Sequence, residues 1–128
     1  MALHTDTQIY KATYELSLLV EQVVANMRRS YKTTLGNHLR QQCFDLVMSV
    51  YKANSSSDRA PIIRGMREDI EAINLSLRLA SDLREFPRPK YARAVELVES
   101  IGRQATGWLK HSENALVARP SRRSGQRA

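Results

Sequence analysis

Apolar residues recur in steps of three and four along almost the whole chain, and no stretch alternates apolar and polar at every second position. The first pattern lays one apolar stripe along a helix, and the second would be needed for a half-buried strand. The sequence therefore predicts an all-α fold. A first helix is expected from about Thr7 to Ser30, with Ile9, Ala12, Leu16, Leu19, Val23 and Met27 on its stripe. Thr5 or Asp6 can cap its start, and Arg28 and Arg29 fall in its last turn, where cations suit the helix dipole. A second is expected from Leu35 to Ala53, striped by Leu35, Leu39, Cys43, Leu46 and Val50 and widened by Phe44, Val47 and Tyr51.

"NSSSDRAP" breaks the pattern, and Pro61 suits the first turn of a third helix ending near Leu83, with Ile62, Met66, Ile70, Ile73, Leu77 and Ala80 inward. "FPRPK" stops it. Pro89 opens a fourth, where Tyr91, Ala94, Val98, Ile101, Ala105 and Trp108 repeat at the mean spacing of a left-handed bundle. Connections of about 4–8 residues join helix ends that are close in space, which favours an antiparallel up-down-up-down four-helix bundle. The bundle is expected over residues 1–116. Residues 117–128 read as a basic disordered tail, because "ARPSRRSGQRA" has four arginines, no acid and no large apolar side chain.

The net charge of +7 is uneven, and more than half of it lies in that tail. No apolar run is long enough for a membrane span, the N-terminus lacks a secretory pattern, and the single Cys43 fits a reducing compartment. These features point to the cytoplasm, with no membrane partner.

Catalytic chemistry finds little support. Carboxylate-bridged metals in bundles need Glu-x-x-His, which does not occur, and His4, His38 and His111 stand apart. Cys43 sits on an apolar stripe, where a thiol acts as a small hydrophobe. No phosphate-cradling glycine loop is present. Glu68, Asp69 and Glu71 lie beside Arg64 and Arg67, so solvated pairing along the helix accounts for them. No metal, cofactor or catalytic residue is expected.

Positive charge remains. Arg28, Arg29 and Lys32 cluster where the first helix ends, and Arg84, Arg88, Lys90 and Arg93 cluster around the third connection. In an up-down bundle these two turns share one end. A basic end of this kind suits a polyanion backbone. Gly102 and Gly107 raise a separate question, since each costs helix stability of roughly 0.5–1 kcal/mol relative to alanine.

Residues 77–110, "LRLASDLREFPRPKYARAVELVESIGRQATGWLK", resemble the C-terminal half of the accessory variability determinant (Avd) proteins of diversity-generating retroelements. The shared features are Leu77-Arg78-Leu79-Ala80, a tyrosine early in the fourth helix, and Ile101-Gly102-Arg103 followed by Gly107-Trp108. "YKATYELSLLVEQVVANMRRSYKTTLGNHLRQQCFDLVMSVYKA" is similar to the family's first half. The related bundles encoded in 23S ribosomal RNA intervening sequences share this patterning.

The resemblance implies a non-catalytic subunit in a homopentameric barrel. It also implies binding to a reverse transcriptase and to template-repeat RNA, in support of error-prone cDNA synthesis during mutagenic retrohoming. Arg28, Arg29, Lys32, Arg78, Arg84, Arg88, Lys90 and Arg93 are then the expected phosphate contacts. Gly102, Ala105 and Gly107 would admit a neighbouring subunit while Trp108 closes the core. The rival expectation is a purely structural bundle of the intervening-sequence type.

Overall fold

The computed structural model describes residues 7–117, with side chains as far as 114. The tail expected at 117–128 lies outside the described residues except for the backbone of Val117. Four helices and no strand are formed among the described residues. Helix one is Gln8–Ala25. Helix two is a continuous rod in three parts, an α-helical turn at Arg29–Tyr31, a π-helical turn at Lys32–Gly36 and an α-helix at Asn37–Ser55. Helix three is Ala60–Asp82 and helix four is Arg88–Val117.

Each helix packs against two neighbours in a closed square, one against two, two against three, three against four and four against one. Partly exposed ion pairs tie helix one to both of its neighbours. Glu21 meets Arg40 on helix two, and Glu15 meets Arg93 on helix four. The core runs the length of the square. Leu16, Leu39, Leu46, Ile63, Met66, Ile73, Leu77 and Ile101 are its largest sealed side chains. Burying such side chains stabilises the fold by roughly 1.5–3 kcal/mol each. The stripes expected in helices two and three line this core, except that Leu35 and Ile62 are only partly buried. Val20, Val24, Ile63, Leu97 and Leu109 join them, because a core at the centre of four helices takes a wider face than one row.

The N-cap of helix one is Thr7, whose hydroxyl accepts from the Tyr10 amide at 3.3 Å. Two expected boundaries move further. Helix one stops at Ala25 rather than Ser30. Asn26 caps it through backbone bonds to Val23 and Val24 and donates its side-chain Nδ2 to Gln22 O. Met27 is still buried, but it plugs the turn instead of extending the helix. Helix two starts at Arg29, not Leu35. Arg29 and Lys32 therefore lie at a helix N-terminus, where the dipole disfavours cations.

The π turn is fixed by Gly36. The Asn37 amide reaches back five residues to Lys32 O, and a Cβ on Gly36 would lie 2.7 Å from Val24 Cγ1. No contact within 4 Å awaits a Cβ on Gly102 or Gly107. The apolar face expected on helix two is wider than the core can cover, leaving Phe44 57% and Tyr51 45% exposed. Leu18, Leu75 and Leu79 are also outward.

Candidate nucleic-acid interface at the basic end

The turn between helices three and four is built on a left-handed residue. Arg84 has φ 63°, its amide donates to Ser81 O, and the Glu85 amide donates to Ala80 O, both at 2.9 Å. This pair of bonds closes the C-terminus of helix three in a Schellman motif. The left-handed position is ordinarily glycine, and a side chain there costs about 1–2 kcal/mol. Phe86 then plugs the bundle end and meets Tyr91 edge-on at 6.2 Å. Pro89 sits in the first turn of helix four, where its missing N–H is harmless.

Glu85 joins this turn to the first one. Its side chain is 5% exposed. One carboxylate oxygen accepts from the Arg28 amide at 2.8 Å, and the other accepts from Arg28 Nε at 2.6 Å. The Arg28 backbone N–H first, and then its guanidinium, hold the Glu85 carboxyl below the usual carboxylate range against the opposing effect of burial. A negative charge thus sits at the N-terminus of helix two, which it suits electrostatically. Arg28 also reaches Leu83 O at 3.4 Å and lies 5.2 Å over the Tyr31 ring.

The expected basic residues separate into three groups. Arg28 is paired and acts as part of the clasp. Arg93 is paired as well, with Nε and Nη2 on Glu15 at 2.9 and 2.6 Å and Nη1 on Glu96 at 3.4 Å. Arg29, Lys32, Arg84, Arg88 and Lys90 lie in the two turns and the helix starts that follow them, and none forms an ion pair among the described residues. Arg84 and Lys90 share the wall of one cavity with Arg28 and Glu85. Arg78 lies apart from them on helix three, exposed and likewise outside any ion pair among the described residues.

The small-residue set does not form one surface. Ala105 is fully buried, Gly102 is half-buried in the groove between helices three and four, and Gly107 is exposed. Five residues along a helix rotate the direction by about 140° from a multiple of full turns, so Gly102 and Gly107 face different ways. Trp108 is half-buried beside the Arg59 guanidinium at 5.8 Å, while Leu109 takes the core position.

Burial, with Glu21 adding to it, pushes the Cys43 thiol up to about 12, so it is protonated and unreactive at neutral pH. Among the described residues no three or more of His, Cys, Asp and Glu are gathered to hold a metal ion, and no helix is long and apolar enough to cross a membrane. Arg64 pairs with Glu113 on helix four at 2.8 Å rather than with the acids of its own helix.

In the sequence Glu85 is a lone acid among the basic residues of the third connection. Its role as a clasp had no local signal, because Arg28 lies 57 positions away. Gly36 had a signal that an isolated glycine in a helical pattern provides, but not its reason. Comparison with curated proteins returns no match. Over residues 8–112 the sequence matches the family model described as bAvd-like, and the chain belongs to that family.

Proposed function

We propose that this protein is a non-catalytic accessory subunit of a diversity-generating retroelement, gathering template RNA on its basic end while docking the reverse transcriptase. Membership of the bAvd-like family carries the reading. The meeting of two basic turns at one end of the bundle supports it, because phosphate contacts need several cations within one strand's reach. The working contact set is Arg29, Lys32, Arg84, Arg88 and Lys90, with Arg78 as an outlying member. Arg28 and Arg93 are held by carboxylates and contribute less.

Assembly into a homopentamer follows from the resemblance. An adjacent pair that favours it is Leu75 and Leu79, exposed one turn apart on helix three, where a neighbouring subunit would cover them. Several copies of a weak phosphate site on one particle gain avidity that one copy lacks.

Filter binding with a structured RNA across a salt series tests the proposal. Affinity should fall steeply between 50 and 200 mM salt, by on the order of a hundredfold or more if an assembled particle makes six or more phosphate contacts. Arg29→Gln with Arg88→Gln should weaken binding and flatten that slope. Negligible binding at low salt would overturn the reading. Light scattering on the same sample reports the assembly.

A further inference from the structure

The cavity beside the clasp has a volume of about 480 Å³, within the range of small-molecule sites, roughly 300–1,000 Å³. It opens between the turn after helix one and the turn after helix three. Both oxygens of Glu85 already accept from Arg28, so the carboxylate is matched. Arg84 and Lys90 then stand on the same wall with no ion-pair partner among the described residues. Pro87 contributes apolar surface to the cavity, and the buried Val23 lies at its floor. A guanidinium fork and an ammonium together match a phosphate, while an apolar wall suits a sugar or base.

The backbone adds an independent observation. Arg84 occupies the left-handed turn position that glycine takes without strain. Closing the turn does not require an arginine. What glycine would lack there is the guanidinium on the cavity wall.

We propose that this cavity is a socket for one phosphate-bearing nucleotide unit of a nucleic-acid strand, with Arg84 and Lys90 on the phosphate and Pro87 against the sugar or base. The proposal rests on the nucleic-acid reading above and narrows it from a diffuse basic end to one site per subunit.

Amide NMR titration of the full chain with adenosine monophosphate tests it, with inorganic phosphate and adenosine as parallel probes. The nucleotide should shift the amides of Asn26, Arg84, Glu85 and Lys90. Inorganic phosphate should bind at least fivefold more weakly, and adenosine should leave those amides unmoved. Arg84→Gly should weaken nucleotide binding about tenfold while raising the Tm, so lost folding cannot mimic the result. Lys90→Gln should weaken it severalfold, and Arg103→Gln, in a different groove, should match the wild type. The socket is overturned if those amides do not respond, if inorganic phosphate binds as well as the nucleotide, or if Arg84→Gly binds like the wild type.

Filter binding of structured RNA on the same samples separates the two readings. RNA binding without a nucleotide response sinks the socket alone. A nucleotide response without RNA binding sinks the accessory role and leaves a nucleotide site.

Discussion

The two ends of this bundle are closed by different physics. At the basic end, a buried carboxylate, a left-handed arginine and a π turn lock three chain segments together. At the opposite end, Ala53 and Ala60 are buried on either side of residues 56–59, and Arg59 stacks on a half-buried Trp108. The cation over the indole contributes roughly 0.5–1 kcal/mol at such a partly exposed site. The contrast teaches where geometry matters. At the basic end a buried carboxylate holds two turns together, while the directional bonds of the opposite end are exposed or partly so, the Arg64–Glu113 pair and the cap from Thr7.

Substitutions can break that contrast. Glu85→Ala leaves the Arg28 amide without its acceptor at the start of helix two, and should cost about 2–3 kcal/mol in denaturant unfolding. A loss near zero would show that the clasp is dispensable. The same carboxylate predicts the acid limb. Its folded pKa is depressed, so its stabilisation is full above the unfolded value near 4.3 and fades as pH falls through the folded value. The stability gap between wild type and Glu85→Ala should therefore narrow below about pH 4. Gly36→Ala drives a methyl into Val24 and should cost about 1–2 kcal/mol by the same measurement, after a partial helix-propensity gain.

Two further substitutions should stabilise, and they sharpen the comparison. Arg84→Gly relieves the left-handed strain and should add about 1 kcal/mol, read as a Tm rise. Gly107→Ala, in open space near the packed end, should add about 0.5–1 kcal/mol to an isolated subunit. If Gly107→Ala instead weakens assembly in light scattering, a neighbouring chain occupies that space.

The fold was legible where one rule sufficed. Leu39, Cys43, Leu46 and Val50 follow helical spacing and are buried. Pro61 and Pro89 fall in first turns, as their missing amides require. The first connection is hidden from spacing alone, because buried Met27 continues the stripe while the backbone has already turned. The basic end was legible as a shared location, since topology alone brings the two turns together. Its internal division was not. Which arginines are matched by Glu85 or Glu15 depends on contacts 57 and 78 positions apart, and no local pattern encodes them.

The π turn at Lys32–Gly36 acts as a phase shifter in an otherwise regular screw. One additional residue in a turn advances everything before it by about 100° around the axis relative to everything after it. The azimuth of Arg29 and Lys32 is thereby uncoupled from the row Leu39–Val50 that seats the rod. Insertion or deletion of a single residue in those five positions would rotate the cationic tip relative to the rod, and would have to break the seat of Gly36 on Val24 and the bond from the Arg28 amide to Glu85.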